Sequence, residues 1–316
     1  MKFKWIKKRY LVIVVILFSI SNMFLMNKNE NNFNKKVMDK ESIKYMPLTY
    51  EVPNVSTGLL NDVGLVEDDT IYYIDSDENF EKFINIGNFV DFKREYKLIT
   101  FIDYNKEEFY VDDKLVNDFN FELDKNKDIQ IPVKLPKLSK GLHDIIFAIV
   151  KDPSEDLSDE YRASTEGNHI LYIRFNIVVE SENSNIPNFA EVNYESIEPI
   201  PEIFLHENLD ELIQFPSKTI YNNKFNAYIT IGNIKNEVEE CVVILMNNWE
   251  VVPINGNNNM FLKINPNEKT TIPISVDINE SGLHNINAIL IKNPYKKIEY
   301  GDVNIVNSIR VGVNLE

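Results

Sequence analysis

The sequence predicts an all-β protein in which an N-terminal membrane-anchor helix precedes two tandem antiparallel β-sandwiches. Three observations lead to this fold class. The chain begins with a basic segment and an apolar run, its body contains a tandem repeat, and apolar and polar residues alternate there, as in IQIPV at residues 129–133. A period of two is typical of half-buried strands, and no stretch of the body sustains a period of 3.6.

The first 26 residues predict a membrane anchor. Residues 1–9, MKFKWIKKR, carry five positive charges and no acid, and residues 10–26, YLVIVVILFSISNMFLM, carry no charge. Basic residues before an apolar segment stay in the cytoplasm, so the body is predicted to be exported and tied to the cell membrane by a single span. A cleaved signal peptide is the alternative, because residues 11–26 would span only about 24 Å as a helix.

A polar stalk and two repeats follow the anchor. Residues 27–46 are rich in Asn and Lys and have no period that would bury a face, which predicts a stalk. Residues 126–153 and 267–294 align without a gap and share nine identical positions, with INIGN (84–88) matching ITIGN (229–233) upstream and IRFNIVVE (173–180) matching IRVGVNLE (309–316) downstream. We therefore predict sandwiches of about seven strands at residues 47–180 and 194–316, joined by a linker at 181–193.

The sequence GLH opens the same strand in both repeats. Gly141 and Gly282 stand where a turn enters that strand, and glycine permits a positive φ there. His143 and His284 follow, at a place where sandwich domains commonly carry a tyrosine whose hydroxyl bonds back to the backbone. We predict that both imidazoles act as structural corners of this kind, and that neither binds a metal or takes part in catalysis.

These features resemble those of bacterial immunoglobulin-like surface modules, in particular the adhesion-related type known as CARDB. They are the strand ending in I-x-I-G-N, the Gly-x-His turn into a long strand, and the closing strand of each repeat. The resemblance implies an immunoglobulin-like sandwich and a place at the cell surface. It implies no catalytic residues.

Charge and cysteine content limit the class of function. The net charge is −16, and because the first nine residues carry +5, the rest of the chain carries −21. Such an acidic body repels nucleic acid, so we predict no nucleic-acid partner. Cys241 is the single cysteine and opens the apolar run CVVILM, which predicts a buried thiol. We find no catalytic motif and predict neither a cofactor nor a metal site.

The repeats differ most between their last two strands. Residues 151–168, KDPSEDLSDEYRASTEGN, carry a net charge of −4, whereas residues 292–303, KNPYKKIEYGDV, carry +1. Loops on a rigid frame often acquire a binding role, so the first loop is a candidate recognition element, and a tolerated solvated insertion is the alternative. The candidate residues are Asp152, Glu155, Asp156, Asp159, Glu160 and Arg162.

Two further ligand chemistries were weighed. A cation could bind Asp152, Glu155, Asp156 and Asp159, whereas residues 75–86 fail as an EF-hand because Phe80 and Ile86 replace its glycine and glutamate. Packing at strand ends is the favoured interpretation of four aromatic residues, and stacking on sugars is the alternative: Tyr104, Trp249, Tyr295 and Tyr300.

Together these features predict a non-catalytic, extracytoplasmic, membrane-anchored binding or scaffolding protein. Its partner would be a surface protein or a wall glycan. An accessory subunit of a membrane-embedded complex is the alternative, and an enzyme acting on wall glycan is the third choice.

Overall fold

The fold is given by a computed structural model that describes residues 44–47, 55–61, 63–67, 69–155, 169–183, 186–191, 195–196, 202–209, 217–299 and 304–316. All helix or strand structure in these ranges is β-strand, which confirms the all-β class for this part of the chain. No helix within them is long and apolar enough to cross a membrane. The predicted anchor at residues 10–26 lies outside them and stays a prediction.

The first repeat is built from short and long strands in about equal number. They are β1 (Lys44–Pro47), β2 (Val55–Leu60), β3 (Ile71–Ile74), β4 (Glu81–Asn88), β5 (Arg94–Ile102), β6 (Asn105–Lys106), β7 (Phe109–Val111), β8 (Lys114–Val116), β9 (Phe119–Leu123), β10 (Lys127–Lys134), β11 (Gly141–Lys151) and β12 (Ile170–Val179).

These strands form two sheets with a core between them. The first outer sheet has the order β2–β4–β10–β7–β8, with β1 also paired to β10, and the first inner sheet has the order β3–β12–β11–β5–β6, with β9 also paired to β5. The alternating side chains of Ile129, Ile131 and Val133 point into the core, where they meet residues such as Phe147. Burial of one such side chain stabilises the fold by about 1.5–3 kcal/mol.

The second repeat contains strands equivalent to most of these. They are β13 (Ala190–Glu191), β14 (Glu195–Ser196), β15 (Ile203–His206), β16 (Ser217–Ile220), β17 (Lys224–Asn233), β18 (Glu239–Asn247), β19 (Glu250–Val252), β20 (Met260–Ile264), β21 (Glu268–Asp277), β22 (Gly282–Lys292), β23 (Ile305–Asn307) and β24 (Val311–Leu315).

The second sandwich has the same layering as the first. The second inner sheet has the order β13–β20–β18–β22–β24–β16, with β19 paired to β18 and β23 paired to β22, and the second outer sheet has the order β14–β21–β17–β15. Its core includes Cys241, Leu245, Ile274 and Val313. Cys241 is therefore buried as predicted, and burial raises the pKa of its thiol well above the usual range.

Three strand pairs in the described chain are parallel, which corrects the purely antiparallel prediction. They are β3 with β12, β16 with β24, and β13 with β20. The first two pairs arise in the same way. After β2 or β15 of the outer sheet, the chain crosses to the inner sheet, where β3 or β16 runs parallel to the last strand of its repeat, β12 or β24.

Two short strands fall within segments that were predicted to be unstructured connections. β1 overlaps the predicted stalk, because residues 44–47 pair with residues 127–130 of β10. β13 lies within the predicted linker, because Ala190 and Glu191 pair with Leu262 and Lys263 of β20. Backbone pairing to a sheet edge thus orders polar segments that have no apolar period of their own.

The two inner sheets face each other, so the molecule has four layers. A third core lies between them and contains buried residues of both repeats, among them Ile99, Phe101 and Ala148 from the first and Ile244 and Ile289 from the second. This contact explains why residues 242–246 are continuously apolar and why residues 98–101 are apolar except for Thr100. One face of β5 or β18 fills the core of its own sandwich, and the other face fills the core between the repeats.

Candidate functional site at the junction between the repeats

Two tight turns bring an aromatic side chain from each repeat into the junction. Asp103 and Tyr104 join β5 to β6, and Asn248 and Trp249 join β18 to β19. All four have positive φ, at 50°, 67°, 49° and 70° respectively, as the central residues of a type I′ hairpin turn do. This backbone region is unfavourable for large side chains, and here the buried rings hold it in place.

Tyr104 belongs to the first repeat but packs against the second. Its ring is fully buried and meets Phe261 and Tyr295 edge-on, at centroid distances of 5.6 and 5.1 Å. Its hydroxyl donates to Asp144 Oδ2 at 2.5 Å and accepts the backbone N–H of Tyr295 at 2.8 Å. Burial raises the pKa of Tyr104 well above its usual range, so the hydroxyl stays neutral.

Trp249 makes the reciprocal contact from the second repeat. Its indole Nε1 donates to the carbonyl of Pro153 at 2.9 Å, and 4% of its surface is exposed. The guanidinium of Arg310 lies 5.5 Å from the ring centroid. Tyr104 and Trp249 are therefore buried at the junction, so packing, and not stacking on sugars, is the role of these two side chains. Tyr295 is half-buried beside Tyr104, and Tyr300 lies outside the described residues.

Two arginines at equivalent positions tie the repeats together. Arg174 on β12 donates to the carbonyl of Lys292 at 2.8 Å, and Arg310 donates to the carbonyl of Asp152 at 3.0 Å. Each arginine follows an isoleucine in the matching downstream segments and reaches the end of the long G-x-H strand of the other repeat. Equivalent residues thus make the contacts in both directions, as in a homodimer interface about a two-fold axis.

The two halves of this contact differ in their charge partners. Arg174 forms a buried two-pronged ion pair with Asp144, with Nε at 3.0 Å from Oδ1 and an Nη at 2.6 Å from Oδ2. Asn285 stands at the position of Asp144 in the second repeat, and Arg310 instead pairs with Glu155 across the junction, at 3.3 Å. The buried charge of each arginine is therefore matched, once from its own repeat and once from the other.

The loop that follows β22 also packs across the junction. The backbone N–H of Ile298 donates to Asn176 Oδ1 at 2.9 Å, and the carbonyl of Ile298 accepts from Thr70 Oγ1 at 2.5 Å. Lys297 forms an ion pair with Glu182 at 2.7 Å. In the part that the structure describes, this loop is a contact between repeats and not a solvated turn.

The candidate recognition loop starts in the same junction. The carboxylate of Asp152 pairs with Arg94 Nε at 2.9 Å, and the carbonyl and carboxylate of Glu155 accept from Arg310. Burial raises the pKa of both carboxyls, although Arg94 and Arg310 act in the opposite direction. The other four candidates lie outside the described residues: Asp156, Asp159, Glu160 and Arg162. Within the described chain, no three His, Cys, Asp or Glu side chains are grouped to hold a metal ion.

A groove of about 390 Å³ opens where this loop leaves the sheet. The buried rings of Tyr96, Phe121 and Trp249 line it, together with Pro153 and the exposed Ser154 at the start of the loop and the exposed Glu122. A bound segment would meet both apolar and polar or charged groups.

The two predicted corners differ in one neighbour. His143 Nε2 lies 2.8 Å from the carbonyl of Ser139, and His284 Nε2 lies 2.8 Å from that of Glu280. Each ring is thus bonded to the backbone four residues upstream. Gly141 and Gly282 have φ of 145° and 112°, and a Cβ on Gly141 would come within 2.8 Å of the carbonyl oxygen of Asn183.

The other imidazole nitrogen distinguishes the corners. His143 Nδ1 lies 2.7 Å from Asp103 Oδ2, whereas His284 Nδ1 lies 3.2 Å from the side chains of Asn247 and Asn248. Burial disfavours the charged form of His143, but the bonds to Asp103 and to the Ser139 carbonyl outweigh it and raise its pKa.

Sequence reasoning missed the role of two buried asparagines. Asn88 and Asn233 end the I-x-I-G-N strands, and each Nδ2 donates to three backbone carbonyls: those of Phe92, Leu123 and Asp124, and those of Glu237, Ile264 and Asn265. Both side chains are fully buried. The repeated asparagine after a glycine was the available signal, because a buried amide at equivalent places indicates a shared hydrogen-bonding task.

Comparisons with known proteins give a weak likeness. No family model and no curated protein matches the chain. A solution structure of the CARDB domain of the PF1109 protein from Pyrococcus furiosus is 17% identical, with 36% of this chain and 96% of that chain covered and a TM-score of 0.27. A crystal structure of the same domain in complex with di-metal ions is 11% identical, with 42% and 98% covered and a TM-score of 0.26. The CARDB-like resemblance predicted from the sequence is therefore confirmed, as a weak one.

A larger protein is similar at the same low level. Red sea bream transglutaminase is 11% identical, with 84% of this chain and 32% of that chain covered and a TM-score of 0.24. This chain thus spans about a third of that protein's length. Identities of 11–17% and TM-scores of 0.24–0.27 transfer neither metal binding nor activity to this chain.

Proposed function

We propose that this chain is a non-catalytic, membrane-anchored, extracytoplasmic binding or scaffolding protein whose two repeats act as one body. The junction carries this proposal. Its buried core and the reciprocal contacts of Arg174 and Arg310 join the sandwiches side by side. A scaffold of this kind holds its loops at fixed distances, which lowers the entropy that a partner loses on binding.

The groove beside Pro153 and Trp249 is the proposed binding position. It lies at the junction, so residues of both repeats line it, and the divergent acidic loop begins at its side. Sugar binding through open aromatic faces is not supported, because the rings of Tyr96 and Trp249 are buried. Among the predicted partners, a surface protein therefore fits this groove better than a wall glycan.

The test is crosslinking and capture of partners from intact cells. The full-length chain is compared with a soluble version beginning at residue 43, which keeps β1 in its sheet. A variant with Ser154→Arg and Glu122→Arg changes the groove at two exposed positions, and Asp91→Arg on an exposed turn elsewhere is the matched control.

The outcomes separate the candidate functions. Capture of the same surface protein by both versions, with loss in the groove variant alone, supports the proposal. Capture of membrane proteins by the full-length chain alone would overturn it in favour of an accessory subunit of a membrane-embedded complex. Capture that is unaffected by the groove variant would move the binding position elsewhere on the molecule.

A further inference from the structure

An ordered loop after β2 presents three aliphatic side chains to solvent. Asn61 organises this loop: its Oδ1 accepts the backbone N–H groups of Val63 and Leu65, at 3.1 and 3.0 Å, and its own N–H donates to the carbonyl of Leu65. Gly64 has φ of 79°, which lets the chain reverse. The backbone groups thus bond within the loop, and it keeps its shape without a partner.

The aliphatic side chains of this loop are exposed to solvent, although such side chains are usually buried. Val63, Leu65 and Val66 are 44%, 61% and 66% exposed, although they lie within four residues of one another. Val66 is held in place by an antiparallel bridge to Leu60. Scattered exposed apolar residues are common, but a cluster on a preorganised loop indicates an interaction site.

The base of the loop is fixed to the sheet. Glu67 pairs with Lys82 at 2.9 Å, and its other oxygen accepts from the hydroxyl of Tyr72 at 2.6 Å. The backbone N–H of Glu67 donates to the carbonyl of Leu59. The apolar residues therefore stand on a rigid support, and a partner that covers them orders little additional chain.

Strand directions place this loop at the end of the first outer sheet where β4 begins. β2 runs antiparallel to β4, so β2 ends where β4 begins. The turn between β3 and β4 lies there too, because β4 begins opposite the last residues of β2.

That neighbouring turn makes the surroundings of the apolar loop acidic. Asp75, Asp77 and Glu78 are all exposed on it, and Asp69 is exposed between the loop and β3. An aliphatic tip at an end of the sheet that carries four exposed carboxylates does not suit a lipid surface with anionic headgroups. It complements a protein cleft that is apolar at its base and rimmed by lysine or arginine.

We infer that residues 63–66 dock into such a cleft on a neighbouring extracytoplasmic protein. This inference rests on the proposed function, because it takes the body to be exported and to bind a surface protein. It adds a second contact surface, on the opposite side of the first sandwich from its inner sheet. The partner gains affinity from the buried aliphatic side chains and orientation from the exposed carboxylates.

The test is site-specific photo-crosslinking with the full-length chain in intact cells. Benzoyl-phenylalanine replaces Leu65 in one version and Asp91, an exposed residue at the opposite end of β4, in the control. We expect position 65 to crosslink a protein segment in which apolar residues lie next to lysine or arginine. Val66→Asp should lower that yield at least about tenfold, and Asp75→Lys with Glu78→Lys should also lower it.

Other outcomes overturn the inference. Crosslinks to lipid would show that the loop meets the bilayer, and a yield no higher than that of position 91 would show that nothing docks there. A crosslinked segment without basic residues would contradict the charge complementarity.

Failure of the proposed function is detected separately. An Asp91→Cys thiol should react with a membrane-impermeant reagent in intact cells, because position 91 is exposed. Cys241 should give no background reaction, because it is buried. No reaction would refute export of the body, whereas reaction together with a silent position 65 would refute the docking site alone.

Discussion

His143 and His284 make the same backbone bond but face different neighbours. The carboxylate of Asp103 lies beside His143, and the amides of Asn247 and Asn248 lie beside His284. Asp103 and Asn248 occupy the same place in their turns, and each accepts a backbone N–H, that of Asp144 or that of Asn285, through Oδ1. The chain therefore contains its own comparison between a charged and a neutral partner.

Asp103→Asn is expected to lower the pKa of His143, because it removes the negative charge and keeps the acceptor for the Asp144 N–H. Titration of the His143 imidazole resonances by NMR measures this change. A His143 pKa that stays the same in the variant would contradict the assigned cause.

The same pair predicts a pH dependence of stability. A pKa raised in the folded state means that the pair's stabilisation is fully present below the unfolded pKa of about 6.5. It is lost as the pH rises through the folded pKa. The difference in free energy of unfolding between wild type and Asp103→Asn should therefore shrink as the pH rises above about 6.5.

Asn88→Ala is expected to lower the free energy of unfolding by about 2–3 kcal/mol, because three backbone carbonyls lose their donor in a buried place. Urea unfolding measures this loss. Asn85→Ala on the same strand is the control, since Asn85 Oδ1 makes no hydrogen bond within the described part of the chain and the residue is only half-buried. Equal losses in the two variants would contradict the role of Asn88.

At the scale of elements, β21 and β10 differ in how their outer edges are covered. β10 pairs with β1 over residues 127–130 and with β7 at residues 133–134. Within the described chain, the corresponding edge of β21 pairs only with β14, at Glu268 and Lys269. Pro273 lies in the uncovered stretch, and Pro132, at the equivalent place, lies between the pairings with β1 and β7. Proline has no N–H to donate and so disfavours pairing of an open sheet edge with a strand of another molecule.

Pro273→Val is expected to produce dimers, because it restores a donor to an open edge. Antiparallel pairing centred on residue 273 sets Lys269 opposite Asp277 of the second copy, a favourable charge pair. Sedimentation over a range of concentrations measures the association. Pro132→Val should remain monomeric, since β1 and β7 flank that position. A monomeric Pro273→Val protein would contradict the role of Pro273 in preventing strand pairing.

At the scale of the whole molecule, the junction couples the stability of the repeats. Arg174→Met leaves the Asp144 carboxylate buried without its counter-charge and is expected to lower the free energy of unfolding by about 3–5 kcal/mol. The double variant Asp144→Asn, Arg174→Met removes both charges and should regain much of this loss. Urea unfolding of the version beginning at residue 43 measures both.

Trp249 reports on the junction in the same experiment. The chain has two tryptophans, Trp5 and Trp249, so the version beginning at residue 43 fluoresces from the junction alone. In the wild type, the fluorescence and circular dichroism transitions should coincide, as for one cooperative unit. In Arg174→Met the fluorescence transition should come first. A double variant no more stable than the single one would contradict the buried-charge argument.

Structural features that depend on neighbouring residues could be predicted from the sequence, and features that depend on contacts between distant residues could not. The alternation at Ile129, Ile131 and Val133 and the largely apolar run at residues 98–101 indicate strands, because side-chain direction along a strand is set locally. The run at 98–101 even required burial on both faces. It did not reveal that the second cover is the other repeat, since periodicity records burial and not the identity of the partner.

The candidate site was predicted in part for a similar reason. The divergence between residues 151–168 and 292–303 led to Asp152 and Glu155, which lie at the junction. The role of Arg174 and Arg310 depends on contacts between residues more than 100 positions apart, to Lys292 and Asp152. No spacing rule in a single sequence reports such contacts.

The face-to-face junction has a consequence for the order of synthesis. The ribosome completes the first repeat before the second, so the inner sheet with Ile99, Phe101 and Tyr104 emerges while its cover does not yet exist. Until β18 and β22 follow, that apolar face is bare, and the matching face of another nascent chain has equivalent residues. A chaperone that keeps nascent chains apart, or holds the first repeat unfolded until the second arrives, should therefore raise the yield of correctly assembled protein.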